Sequence, residues 1–413
     1  MSEESSIDIP PKGARKAAKH IASIHGITPI LPLETLVRDG VILHLLGKFE
    51  NVQSVYTFKV RGAEWFVYNL MEEYHNPDPK SRGRFRRDQT LPVLVTASAG
   101  NHAQGVALAA KRYGLEAVIF MPTTTPSVKK ERVEKLGGTI RLVGNVFDEA
   151  LAEALLYKSE SRNRILVPPY ENPFIMAGQA TVGVELLSQF CPLHPDYFRV
   201  ARHEWHVPDV IICGIGGGGL ASGIGSIVQE FNKAGGRNIK VIGVQTEAAD
   251  SMYQSIKAGE YRESSDMTAK SVAEGITVKK ASPRMVRTVQ RYVNQVVSVT
   301  EEDIIRAIAY IHQHPDLQRR WDTNEVINPA IPFRSLPEGA HHVHESRPLN
   351  RVEGAAAAPY AAVVFGDKYQ EINWREIAGG RKELTVVCVL TGSNIPSQKL
   401  QDLTHNIIRP RNL

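Results

Sequence analysis

An alternation beginning at Pro92 constrains this chain more than any other feature. Val93-Leu94-Val95-Thr96 reads as a short apolar strand, Ala103 to Tyr113 as a helix stopped by Gly114, and Ala117 to Met121 as the next strand. The cycle then repeats. Ser127 can cap a helix that runs through Leu136 to Gly137-Gly138, Thr139 to Val143 forms a strand, and a helix over Phe147 to Tyr157 leads to Ile165-Leu166-Val167. A second set follows Gly178: a helix to Phe190, the strand Asp209 to Cys213, a glycine turn, a helix from Leu220 to Asn232 and the strand Lys240 to Gln245. Gln295 to Val299 is a further strand, Thr300 with Asp303 opens a helix to about Ile311, and the sheet resumes at Leu384 to Leu390. Short apolar strands separated by helices predict parallel sheets covered on both faces. The expected fold class is therefore α/β, with two doubly wound parallel-sheet lobes. Residues 1–60 and 166–413 are expected to form the large lobe, because the N-terminal segment carries too few strands to stand alone, and 61–165 the small one.

Composition narrows the function. A chain of 413 residues with 42% hydrophobic and 23% charged residues can bury a large core, and a formal charge of +5 spread along it suits small anions better than a nucleic acid. The densest basic run, Lys80 to Arg87, lies among Ser, Gly and Asp and reads as a solvated connector. Cys191, Cys213 and Cys388 are far apart, as expected of thiols in a reducing compartment. The first twenty residues lack the apolar core of a secretory signal and no run approaches the roughly 18 apolar residues of a membrane span, so a cytoplasmic chain without a membrane partner is expected. Residues 314–350 break the alternation. Five prolines, Pro315, Pro329, Pro332, Pro337 and Pro348, mark an insertion in the large lobe, and its His341-His342-Val343-His344 cluster has no cysteine or carboxylate at ligand spacing.

Four stretches carry chemistry. Asp209 to Cys213 runs into Gly214-Ile215-Gly216-Gly217-Gly218-Gly219-Leu220, a strand, a glycine turn and a helix start that present backbone N–H groups to a phosphate. The same spacing satisfies the dinucleotide fingerprint, with Glu247 available as the acidic partner, so a nicotinamide or flavin site stays open here. Ser98-Ala99-Gly100-Asn101-His102 leads small residues into a helix start, a nest for a carboxylate; His102 reads as a packing residue in preference to a base. Thr391-Gly392-Ser393-Asn394 ends a strand at a glycine turn, where α/β sheets place ligands. Tyr56-Thr57-Phe58-Lys59-Val60-Arg61-Gly62-Ala63 sets one lysine in an apolar run. Such a lysine is either a snorkelling surface residue or a desolvated amine ready to attack a carbonyl. Partners for the other parts of one ligand, supplied by the other three stretches, favour the amine.

TFKVRGA, SAGNHAQGVA, GGGGLASG, AGQATVGVELL and VLTGSN, in that order, resemble the fold type II (tryptophan synthase β-like) pyridoxal-phosphate enzymes, and among them the threonine/serine dehydratases. The resemblance runs from about residue 20 to the C-terminus apart from 314–350. It implies pyridoxal 5'-phosphate in the cleft between the lobes, a Schiff base to Lys59, phosphate on Gly216 to Gly219, the ring 3-hydroxyl on Asn101 and the pyridine nitrogen on Thr391. The implied cofactor set is Phe58, Lys59, Asn101, Gly216, Gly217, Gly218, Gly219, Leu220 and Thr391, and the implied substrate set is Ser98, Ala99, Gly100, Asn101 and His102. The implied reaction is β-elimination from a β-hydroxy amino acid such as L-threonine or L-serine, giving a 2-oxo acid and ammonia, in a homo-oligomer (dimer or tetramer).

The departures shape the alternatives. Thr57 stands where these families usually have Ser, and Thr391 where Ser or Cys is common. Serine racemases, which resemble the chain over the same motifs, carry a second serine where this chain has Ala99, so elimination is expected over racemisation. The chain ends about twenty residues past Asn394, like the short forms without a regulatory domain. Gln245 and Ser251 replace the carboxylates of the cation site of some relatives, which leaves metal dependence unassigned. An amino-acid racemase, a β-replacement enzyme, a nicotinamide-dependent oxidoreductase and a non-enzymatic interaction platform are the rival readings.

Overall fold

Ten strands order the chain in the computed structural model, which describes residues 5–77, 90–190, 207–235, 238–317, 349–365, 371–405 and 407. They are β1 (Ile30–Arg38), β2 (Val41–Lys48), β3 (Val93–Ala97), β4 (Glu116–Met121), β5 (Thr139–Leu142), β6 (Arg164–Leu166), β7 (Val210–Gly214), β8 (Lys240–Thr246), β9 (Gln295–Val299) and β10 (Glu383–Val389). The chain divides into two compact units, one of residues 1–58 and 179–413 and one of residues 59–178. Both are mixed α/β structures built on parallel strands, as the alternation requires.

The larger unit holds a six-stranded sheet in the order β1-β2-β10-β7-β8-β9. All its pairs are parallel except β1 with β2. That hairpin, together with the helix Pro11–His25 before it, is not anticipated by the alternation starting at Pro92. Its turn is Asp39-Gly40, both residues with positive φ, the pairing that matches the right-handed twist of a two-residue hairpin. The central strand β7 is buried throughout, and β10 and β8 on either side of it are buried over most of their length. Helices Glu301–His312 and Gly354–Val364 contribute to one core with β1, β2 and β10. Thr300 caps the first of these as expected, its hydroxyl accepting from Asp303 N at 3.1 Å.

The smaller unit holds four parallel strands in the order β5-β4-β3-β6. Helices Lys59–His75 and Asn101–Arg112 pack on one apolar cluster with Leu94, Ala117 and Ile165, while Phe147–Ser159 buries Ala150 and Ala154 with Val95, Val118 and Phe120 in another. The two helices of the first cluster approach closely at Gly105. A Cβ there would lie 3.2 Å from Lys59 O, so only glycine lets the backbones meet without a shift.

Two expectations need correcting. Ser127 does not cap its helix: Pro126 holds the cap position in an extended conformation, and its carbonyl accepts the amides of Lys129 and Lys130. The helix expected after Gly178 begins at Pro173. Lys80 to Arg87, Cys191 and most of the expected insertion (318–348, with His341 to His344) lie outside the described residues. His314 and Leu317 at its start are buried, and the ring Nε2 of His314 donates to Leu33 O at 2.9 Å. No helix of the described residues is long and apolar enough to cross a membrane.

Candidate active site

In the smaller unit the loops after β3 and β6 leave the same end of adjacent parallel strands, where open α/β sheets bind ligands. Lys59 is the first residue of its helix, half-buried, and its Nζ donates to Pro169 O at 2.9 Å, in the loop after β6. The loop after β3 turns through Ser98, Ala99 and Gly100, all half-buried, into a helix whose first residue is Asn101. Ser98 serves that helix directly. Its hydroxyl accepts from Gly100 N at 3.2 Å and Ala103 N at 3.3 Å, which takes up one of the helix's unpaired N–H groups and leaves the positive helix end facing the turn.

His102 is buried and its ring Nε2 donates to Val167 O at 3.0 Å, the carbonyl that also accepts from Thr96 Oγ1 at 2.9 Å. Burial first, and the charge of Lys59 second, lower its pKa from 6.5 to about 3. A neutral ring that keeps its proton for a backbone carbonyl is a positioning and packing group, in line with its reading from sequence. Val167 and Pro169, whose carbonyls anchor His102 and Lys59, carry no side-chain signal of this role. The one available hint is Pro168-Pro169 directly after an apolar strand, a run that ends strand pairing and turns its carbonyls elsewhere.

In the larger unit β7 and β10 are parallel neighbours, with Val389 paired to Cys213, so the glycine turn and the Thr391 turn leave the same end of the sheet. Gly216, Gly217, Gly218, Gly219 and Leu220 are all buried. The first bond of the helix Gly219–Gly235 across this turn is Ser222 N to Gly218 O at 2.9 Å, and the amides at such a helix start have no partner within the helix, which suits them to an anion. Gly218 has φ +86, and a Cβ there would lie 2.6 Å from Val289 Cγ2. That turn is a cradle only glycine can form. Glu247, which a dinucleotide site would need, is exposed in a short helical turn after β8.

Thr391 is buried, and its carbonyl accepts from Phe58 N at 3.2 Å, while Thr57 and Gly392 form an isolated antiparallel bridge. Ser393 and Asn394, to which sequence reading gives no role, bind the same lead-in segment. Ser393 N donates to Tyr56 O at 3.0 Å and Asn394 Nδ2 to Val55 O at 2.9 Å. Gln245 and Ser251 are occupied by protein groups: Gln245 Oε1 accepts from Tyr253 N at 2.9 Å and Ser251 Oγ donates to Val278 O at 2.7 Å. Among the described residues no group of three or more His, Cys, Asp or Glu could hold a metal.

Each unit by itself carries groups that suit pyridoxal phosphate: the smaller a primary amine for its aldehyde, the larger a glycine turn of helix-start amides for its phosphate and a buried hydroxyl-bearing turn for its ring. The comparisons agree. The L-threonine ammonia-lyase of Thermotoga maritima is 37% identical over 264 residues, 64% of this chain and 57% of that protein. The biosynthetic L-threonine dehydratase of Pasteurella multocida is 33% identical over 307 residues, 74% of this chain and 53% of that protein. The chain thus spans about half the length of the curated relatives it matches. The processed form of threonine deaminase isoform 2 from Solanum lycopersicum has the same fold, with a TM-score of 0.65 at 25% identity over 98% of this chain and 90% of that one. Residues 21–315 match the family described as pyridoxal-phosphate dependent enzymes, and the chain belongs to that family.

Proposed function

We propose that this protein is a pyridoxal-phosphate-dependent ammonia-lyase that converts a β-hydroxy amino acid, L-threonine or L-serine, to the 2-oxo acid and ammonia. The observation that carries the reading is Lys59 Nζ, held on Pro169 O beside a histidine that stays neutral. Names of relatives support it: an L-threonine ammonia-lyase and several threonine dehydratases align with this chain.

When bound, the cofactor supplies the electron sink that acidifies the substrate Cα–H. Lys59 would hold the cofactor through Nζ and, with that amine free, would take the Cα proton. The amides of Gly216 to Gly219 and Leu220 hold the phosphate without side chains. Asn101 would meet the ring 3-hydroxyl, and the turn Ser98 to His102 would receive the substrate carboxylate at the positive end of the helix Asn101–Arg112. Thr391 offers the pyridine nitrogen a hydroxyl, which cannot hold a proton there as a carboxylate would. A hydroxyl at that place would suit loss of the β-hydroxyl better than transamination. The enamine left behind takes up water and releases ammonia. We place the reaction in the cytosol, a reducing compartment that suits the buried free thiols Cys213 and Cys388, and in a homo-oligomer.

Borohydride reduction of the purified protein, followed by peptide mass spectrometry, is expected to find the pyridoxyl mark on Lys59. Lys59→Ala should lose the mark together with ammonia release from L-threonine and L-serine. A mark on another residue, or an unmarked and fully active Lys59→Ala, sinks the assignment.

A further inference from the structure

Val55 and Tyr56 have φ of 50° and 60°, two consecutive non-glycine residues in the left-handed region. Valine is a poor occupant of that region, because its branched Cβ crowds the following carbonyl. The pair lies three residues before Lys59, and both residues are buried. What opposes relaxation comes from more than 330 residues later in the chain. Asn394 Nδ2 donates to Val55 O at 2.9 Å and reaches Tyr56 O at 3.5 Å, Ser393 N donates to Tyr56 O at 3.0 Å, and Ser393 Oγ donates to Asn51 O at 2.9 Å. Asn394 is itself tied down through its own amide, which donates to Glu353 Oε2 at 3.2 Å.

We infer that Asn394, with Ser393, is a positioning residue for Lys59: it holds Val55 and Tyr56 in a conformation they would otherwise leave, and so fixes the short lead that delivers the lysine. Strain of this kind persists only where the surroundings over-determine it, and it collects at functional sites. The left-handed pair reverses the chain so that Phe58 N meets Thr391 O at 3.2 Å and Thr57 pairs with Gly392. Thr391 and the residue preceding Lys59 are therefore stapled by the turn that Asn394 clamps. Asn394 touches neither substrate nor cofactor in this account; it acts through Val55 and Tyr56. The inference rests on the reading of Lys59 as the cofactor lysine.

The test is a pair of backgrounds. Asn394→Ala is made in the parent and in Val55→Gly, where glycine accepts the left-handed conformation without the clamp. Each apoprotein is titrated with pyridoxal phosphate by visible absorbance, the borohydride mark on Lys59 is measured, and deuterium uptake by segment 51–58 is followed. In the parent, losing the Asn394 bonds is expected to weaken cofactor affinity on the order of tenfold and to raise uptake across 51–58. In the Val55→Gly background the same substitution should cost less than about a third of that factor, because the strain at the branched residue is gone and only that at Tyr56 is left for the clamp to restrain. Equal losses in both backgrounds, or parental affinity and uptake for Asn394→Ala, overturn the inference. If Asn394→Ala does not fold, Asn394→Ser, whose hydroxyl is too short to span both carbonyls, takes its place. A parent without a mark on Lys59 refutes the assignment of the lysine instead, and deuterium uptake in the two backgrounds still decides whether Asn394 clamps the turn.

Discussion

Acidification is the perturbation that most directly interrogates the lysine's surroundings, because it acts on His102. The folded chain protonates this ring only near pH 3, whereas the unfolded chain does so near 6.5. Between those values the unfolded state holds the extra proton, so stability falls as pH falls. The contribution is complete above about pH 6.5 and is lost progressively toward 3. Each pH unit within the window costs about 1.4 kcal/mol, so going from about pH 7.5 to about pH 5 removes about 2 kcal/mol through this one group. The cause is local: burial disfavours the imidazolium, and the ammonium of Lys59 adds to it, against the opposing bond to Val167 O.

Other groups titrate in the same range, so the measurement is a difference between two proteins. His102→Gln keeps an N–H donor for Val167 O and cannot take up a proton. Urea unfolding of the smaller unit, followed by Trp65 fluorescence in a variant lacking Trp205, Trp321 and Trp374, is compared for the two proteins at both pH values. The parent is expected to lose about 2 kcal/mol more than His102→Gln on acidification. Equal losses, within about 0.5 kcal/mol, would mean that His102 is not a neutral buried ring beside Lys59, and the electrostatic setting argued for the amine would fall with it.

Two further outcomes follow from named residues. Lys48 Nζ donates to Thr28 O at 2.8 Å, Glu185 Oε2 at 2.9 Å and Gln189 Oε1 at 3.0 Å, with the lysine and the glutamate both inaccessible to solvent, so Lys48→Met strands a buried carboxylate and should cost about 3–5 kcal/mol in thermal or urea unfolding. Adding Glu185→Leu should recover most of that; an additive double variant refutes the account of a buried ion pair. On the proposed reading Ala99 would offer no hydroxyl to return a proton to Cα, so a chiral assay on L-serine should find pyruvate far in excess of D-serine, and comparable rates of the two would return the racemase reading to first place.

Much of the fold is legible in the sequence because its strands are short apolar runs punctuated by glycine. β4, β7, β8, β9 and β10 lie within a residue or so of where alternation alone puts them. The hairpin β1-β2 escapes a reading that begins at Pro92, although Asp39-Gly40 between two apolar stretches is a strong local signal for it. Helices such as Ser251–Ala258 and Pro283–Tyr292 are missed because they fall in the long interval between β8 and β9, where no strand sets a rhythm. Proline inside Gly354–Val364 argues locally against a helix, and full burial of every residue in it is what overrides that preference.

The site divides along a physical line. Lys59, the glycine turn, Asn101 and Thr391 stand out as candidates because each has a chemistry that residue type alone declares: an amine, a backbone without Cβ, an amide, a hydroxyl. The groups that hold them cannot, since they act through backbone carbonyls, as Val167 and Pro169 do, or through a conformation the local sequence disfavours. Val55-Tyr56 is the clearest instance. A branched and an aromatic residue predict extended chain there, and the left-handed turn exists because Asn394 and Ser393 arrive from the far end of the sequence to bind its carbonyls. Local preference and tertiary structure disagree at the approach to the lysine proposed to hold the cofactor. A sequence free of functional demands would relieve that conflict with a glycine at position 55; keeping valine makes the lead into Lys59 conditional on the completed β10 turn. The Thr391 turn and the lead into Lys59 are thus tied to each other by the same set of bonds.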